Sequence, residues 1–216
     1  RPPQPPHVPV PPPRGLPPGW TVPPGYELRR RRRRWPRRLT TLLLTFGLCC
    51  GCPAYFVVPM WQQYPASAAI PAEAAGYRRL TTREATRTER ELERRAQEGH
   101  LFAEGTFAAV FNGGRGWEMT LYGTTGFRLA PKSDLEAEFT RLAEVLKVTE
   151  VREVEPGDLG GHQRCGFGTA ADGDDLVVCG WADHGSLGVA TFSAGSLEED
   201  AETLRELRAL VVQREG

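Results

Sequence analysis

Hydrophobic and polar positions divide this chain into unlike stretches. From Leu39 to Trp61, LTTLLLTFGLCCGCPAYFVVPMW, the residues are apolar apart from scattered Thr, and no charge occurs before Glu73. As one helix, residues 39–61 would reach roughly 34 Å at about 1.5 Å each, against a hydrocarbon core about 30 Å thick. The pattern therefore predicts a transmembrane helix, kinked at Pro53 and ending near Pro59. Trp35, Trp61 and Tyr64 flank it in the manner of interfacial aromatic belts. Residues 62–99 read as a spacer, QQYPASAAIPAEAAG, and a charged stalk helix over 82–98 with few apolar positions and a capping box at Thr81 and Glu84.

Helical and strand periods alternate over residues 100–216. Ser133 and Glu136 form a capping box before a helix whose Leu135, Phe139, Leu142 and Leu146 share a face. Ser196 and Glu199 do the same for a final helix with Leu197, Ala201, Leu204, Leu207 and Val211 on a stripe. Strand patterns fall at 106–111 and 118–122, around the turn NGGRGW, and at 149–154, 163–170, 175–181 and 187–192. Together these predict an α+β domain with an antiparallel sheet of about five to six strands and helices on one face. The other face is left half-wet, or covered by the stalk helix or an envelope protein partner.

The last three strands fix a register. A three-residue loop, Ala171-Asp172-Gly173, sets residue 170 opposite 174 and hence Cys165 opposite Cys179. Opposed positions in a sheet suit a disulfide. A turn centred on His184-Gly185 then sets Trp181 against Gly188 and Cys179 against Ala190, so small residues leave room for the indole and the bridge.

Charge changes the reading of the chain's first part. Net charge is zero, yet residues 1–38 hold ten Arg and one Glu, while residues 62–216 hold 17 Lys/Arg and 26 Asp/Glu. Proline fills twelve of the first 24 positions, which predicts a disordered, extended Pro-rich cytoplasmic tail over 1–38 that could recruit a cytoplasmic partner. The arginines, Arg29, Arg30, Arg31, Arg32, Arg33, Arg34, Arg37 and Arg38, read as a topology signal. They predict a single-pass protein of the cell membrane, N-terminus cytoplasmic and C-terminal domain extracytoplasmic, with the lipid bilayer as a partner. Nothing folded surrounds them, and the run is not read as a nucleic-acid site. Ala66-Ser67-Ala68 has the form of a signal-peptidase site, so cleavage competes with an uncleaved anchor. Cys49, Cys50 and Cys52 lie inside the apolar stretch and are read as packing or acylated residues.

Catalytic signals are sparse. Asp183-His184-Gly185-Ser186 invites a triad reading, but adjacent residues of one turn rarely point at each other, and the same residues suit a hairpin. His162 and His184 could meet across strand ends, and with Asp183 they supply three candidate ligands. No catalytic residue, metal or cofactor is assigned.

The pattern Gly160-Gly161, Arg164-Cys165-Gly166, Cys179-Gly180-Trp181-Ala182-Asp183-His184-Gly185 and Leu187-Gly188-Val189 resembles actinobacterial single-pass membrane proteins of unknown function. Those have a Pro-rich cytoplasmic tail, one span and a small extracytoplasmic domain. The resemblance implies membrane placement and a bridge, and carries no catalytic role. The expected function is a non-enzymatic binding, sensor or accessory domain. The alternatives are an envelope hydrolase or metal-dependent enzyme near His162 and His184, and a cytoplasmic scaffold acting through the tail.

Overall fold

The computed structural model describes residues 35–48, 52–100, 102–114, 117–193 and 195–214. The chain divides into a unit ending at Leu48 and a second from Cys49 to Gly216. In the first, helix α1 spans Trp35–Phe46 and leaves Leu39, Leu42, Leu43, Leu44 and Phe46 exposed. Arg37 and Arg38 fall in its first turn. The Pro-rich tail, Arg29 to Arg34, Cys49 and Cys50 lie outside the described residues.

The expected transmembrane helix is overturned. Helix α2 spans Cys52–Gln63, so the apolar stretch holds two helices of 12 residues each. Each is about 18 Å long at about 1.5 Å per residue, short of the roughly 30 Å hydrocarbon core. Among the described residues no helix is long and apolar enough to cross a membrane. The placement built on that helix, a single-pass protein of the cell membrane, falls with it. The physical reason lies in Gly-Cys-Pro at 51–53: Pro53 lacks an N–H, and its ring clashes with the carbonyl four residues earlier, so it suits a helix start and not a helix middle. Pro59, expected near the end, lies inside α2.

The second unit is built on an eight-stranded antiparallel sheet in the order β2-β3-β4-β5-β9-β8-β7-β6. Its strands are β2 Glu73–Ala74, β3 Tyr77–Arg79, β4 Gly105–Gly114, β5 Trp117–Thr125, β6 Thr149–Val154, β7 His162–Thr169, β8 Asp175–Ala182 and β9 Ser186–Phe192. A separate two-stranded sheet pairs β1 Ala66–Ala68 with β10 Val212–Arg214. Helices α3 Arg83–Gly99, α4 Pro131–Leu146 and α5 Leu197–Val211 complete the unit.

This corrects the expected five to six strands with helices on one face. The additional strands come from residues 66–79 and from Val212–Arg214, which carry no strand-length apolar alternation. The presumed spacer instead buries Ala66 and Ala74 in the core, with Tyr77 just after it, and the signal-peptidase-like Ala66-Ser67-Ala68 is strand β1. The helices cover both faces. On one, Leu197, Ala201, Leu204, Leu207 and Val211 of α5 pack on Trp181, Phe192 and Leu121. On the other, Leu135, Phe139 and Leu142 of α4 pack on Val178, Leu187 and Val189. The two amphipathic stripes are alike in sequence, so their assignment to opposite faces comes from the crossover connections, which periodicity does not encode.

The presumed stalk helix, α3, lies beside α4 on that second face. It buries Ala85, Glu89 and Ala96. Glu89 accepts from the Val110 N–H at 3.2 Å and pairs with Arg79 at 2.8 Å, completing the ladder where short β3 gives out. Its cap is Thr82, which accepts from the Ala85 N–H, one residue later than the capping box suggested.

The hairpin register is as the sequence implied. Ala170 N donates to Asp174 O, Cys165 faces Cys179, and Trp181 faces Gly188. A Cβ on Gly188 would come 2.2 Å from the indole, so only glycine admits Trp181 at that spacing. Cys165 and Cys179 form a disulfide, both fully buried, with Cα atoms 4.1 Å apart. Counting from the hydrogen-bonded 170–174 pair, 165–179 is a narrow, non-hydrogen-bonded pair.

Candidate functional site in the groove between α3 and α4

The three residues singled out in sequence do not converge. Asp183 is fully buried and spent on structure. Its Oδ1 accepts from Gly185 N at 2.8 Å, Ser186 N at 2.6 Å and Ser186 Oγ at 3.0 Å, which is the hydrogen-bond pattern of a tight Asp-initiated turn. Its Oδ2 accepts from Arg208 of α5 at 2.6 Å and Arg214 of β10 at 3.2 Å. Trp181 Nε1 donates to Ser186 Oγ at 3.0 Å, so the hydroxyl is also committed.

His184 faces away from that carboxylate. Its Nδ1 lies 2.8 Å from the Arg128 carbonyl, and its backbone N–H donates to Gln63 Oε1 at 3.0 Å. His162 begins β7 and lines a shallow cleft with Glu153, Glu155 and Gln163, where burial pushes its pKa below the ordinary value. Among the described residues no group of three His, Cys, Asp or Glu is arranged to hold a metal. Asp183-His184-Gly185-Ser186 is a joint between sheet, α5, α2 and the C-terminus.

A concave site lies elsewhere, on the face shared by α3 and α4. The two helices stand apart over β5 and β9 and leave a cavity of about 290 Å³. Leu92 and Ala96 form one wall, and Leu142, Val145 and Leu146 the other. Thr120, Tyr122 and Thr191 form the floor. Polar groups converge at one end. Glu138, only 3% exposed, accepts from the Tyr122 hydroxyl at 2.8 Å and pairs with Arg141. His100 Nε2 stands 3.7 Å from the same carboxylate.

His100 and Tyr122 each hold one protonation state at neutral pH. Burial, with Arg128 and Arg141 nearby, pulls His100 down to about 4, so its contact with Glu138 is made by a neutral imidazole. Burial pushes Tyr122 up to about 12, so it stays a hydroxyl donor. Arg141 remains about half exposed at the cavity mouth and can meet a second anion beyond Glu138. Gly99, the last residue of α3, makes room for it: a Cβ there would lie 2.1 Å from Arg141 Nη1.

No known protein family, curated protein or solved structure matches this chain.

Sequence reasoning missed this groove for a definable reason. Glu138 sits among the core-facing positions of α4, Leu135, Phe139 and Leu142, and a carboxylate inside an apolar stripe is a signal that was available. Tyr122 ends the readable strand pattern of β5 and was available too. The stalk helix was one of the covers the sequence offered for the second face; what the pattern could not give is that α3 stands apart from α4 over β5 and β9 and so leaves a groove.

Proposed function

We propose that the Cys49–Gly216 unit is a non-enzymatic binding module that takes a small amphipathic ligand with an acidic head group into the groove between α3 and α4. The observation that carries this reading is the union of apolar walls with one polar end. Such a pocket, largely apolar with a few convergent polar groups, is the usual form of a small-molecule site. Leu92, Leu142, Val145 and Leu146 would receive the apolar body. Arg141, whose other side is held by Glu138, would meet the head group.

The electrostatics favour binding over turnover. Efficient general acid–base groups hold pKa values near the working pH. His100 at about 4 and Tyr122 at about 12 stand well to either side of neutrality. Their fixed protonation suits recognition: the neutral imidazole keeps one unprotonated nitrogen, and the Tyr122 hydroxyl, a constant donor, holds Glu138 in place.

The test uses anilinonaphthalene sulfonate, an apolar anion, titrated into the protein with amide NMR as the readout. Shifts confined to 92–100 and 141–146 support the site. Val145→Trp, at a rim position that is 67% exposed, should fill the groove and weaken binding about tenfold without unfolding the protein. Arg141→Gln should weaken it as well. Unchanged affinity in Val145→Trp, or shifts elsewhere only, would overturn the reading.

A further inference from the structure

The groove between α3 and α4 has a length and a direction. One wall is a single row of α3, Thr88, Leu92 and Ala96, continued by His100 just past the helix. The other carries a row of α4, Glu138, Leu142 and Leu146. Residues four apart lie one above another on a helix, so each row runs along its own axis. The C-terminal end of α3 meets the middle of α4, where Gly99 stands against Arg141 and His100 against Glu138. Both rows therefore meet at the polar end and run from it to Thr88 on one side and Leu146 on the other. Along each row an ionisable residue occurs only at that shared end. From Ala96 back to Thr88, and from Glu138 on to Leu146, the rise is about 12 Å at about 1.5 Å per residue.

We propose that the groove is a ruler for one unbranched chain of about ten carbons with a singly charged acidic head, the chemistry of a medium-chain fatty carboxylate. This rests on the groove being a binding site, as proposed above, and names what it selects. Two dimensions agree on the chain. An extended chain advances about 1.3 Å per bond, a third of the 3.8 Å that three backbone bonds span, so a 12 Å row matches about nine bonds. The cavity volume of about 290 Å³ holds about ten groups the size of a water or a methylene, at roughly 30 Å³ each. Length and volume are thus used up together by a single file of carbons, and a second chain alongside finds no room. The volume also sits at the lower edge of the range for small-molecule sites, about 300–1,000 Å³. The head follows from Arg141, about half exposed at the polar end, which can meet a carboxylate through two parallel bonds. The Glu138 carboxyl already lies against the same guanidinium, so a head of one negative charge fits there better than a head of two.

The experiment titrates saturated carboxylates from hexanoate to tetradecanoate into the full chain, with calorimetry for affinity and amide NMR for place. Affinity should rise about fourfold per added methylene up to about decanoate and then level off, because further carbons pass Thr88 and Leu146 into water. Adamantane-1-carboxylate, with its carbons in a compact cage and the same charge, should bind at least about tenfold more weakly than decanoate. A flat dye also enters a slot, so the cage is the shape that separates a chain-sized site from a general apolar one. Thr88→Trp, at an exposed position, should block the last turn of the α3 wall, about 6 Å, and move the levelling point to chains about four carbons shorter, with hexanoate unchanged. Three results overturn the ruler and leave binding standing: affinity that climbs without a break to tetradecanoate, a cage that binds as tightly as decanoate, or a levelling point that Thr88→Trp does not move. If no carboxylate binds while anilinonaphthalene sulfonate does, the chain inference alone falls. If neither shifts amides at 92–100 and 141–146, the groove is not a binding site, and both readings fall.

Discussion

Asp200 shows how far a single side chain can depart from its ordinary chemistry. It lies in the first turn of α5, where the helix dipole favours a negative charge. Yet it is 3% exposed, its Oδ2 has no hydrogen-bond partner among the described residues, and burial raises its pKa to about 7. Desolvation outweighs the dipole. The folded state therefore holds a proton that the unfolded chain releases near 3.8. Stability from this group is greatest below that value and falls as pH rises to about 7, then stays low. Asp200→Asn should flatten that slope and raise stability above pH 7 by about 2–4 kcal/mol. Urea unfolding at several pH values reads the effect. His100 slopes the other way. Its folded pKa of about 4 lies below its ordinary 6.5, so its contribution is complete above 6.5 and lost as pH falls toward 4. His100→Gln should remove about 2–3 kcal/mol of acid sensitivity over that interval. The two groups partly cancel in the parent protein, and each variant should expose the slope of the other.

At the scale of elements, the Asp183 turn joins a hairpin, two helices and the last strand. It closes the β8–β9 hairpin, takes Arg208 from α5 and Arg214 from β10, and through His184 and Gln63 reaches α2. Asp183→Ala would leave Arg208, 1% exposed, as an unpaired buried cation. Breaking one side of a buried pair costs about 3–5 kcal/mol. Asp183→Ala should therefore destabilise by that amount in urea unfolding. A loss below about 1 kcal/mol would mean that the bond Arg208 already donates to the Gly160 carbonyl, at 2.8 Å, is enough to hold the guanidinium. The disulfide sits two residues from Trp181 on the same strand and closes a loop with a sequence separation of 14. Replacing both cysteines by Ala should cost about 3 kcal/mol in the chain-entropy account.

These two joints also mark how much the sequence disclosed. The bridge follows from loop length and strand period, both local and both written in residues 163–192. Asp183 was legible as a turn residue, but its arginine partners come from 25 and 31 residues away, and no periodic signal links them. The valines of β6, three apart, puzzle a strict alternation. They are explained by a register shift between Thr149 and Arg152, with Glu150 at φ 49°. The apolar run 39–61 misled because hydropathy counts residues and ignores where Pro53 lets a helix begin. The groove was invisible for the same class of reason: it is a gap between elements, and sequence patterns describe elements.

The whole second unit is asymmetric about its sheet. On one side α5 buries seven residues, five of them a continuous apolar stripe. On the other, α3 buries only Ala85, Glu89 and Ala96 of its seventeen residues. Beyond the bonds Glu89 makes to Arg79 and the Val110 N–H, its ties are exposed ion pairs such as Arg94 with Glu91 and Glu98, each worth little in water. Few buried apolar contacts mean a low free energy of local opening. Native-state hydrogen exchange should therefore find α3 opening well below the global unfolding free energy. Amides of β8, β9 and α5 should exchange only when the whole unit unfolds. Because α3 forms one wall of the groove, a ligand held against Leu92 and Ala96 binds only the closed form and must raise α3 protection in proportion to its occupancy. Anilinonaphthalene sulfonate at saturating concentration should slow exchange across 88–99 and leave α5 unchanged. If α3 already exchanges as slowly as α5, the groove is a rigid cleft, and ligand capture does not draw on the looseness of its outer wall.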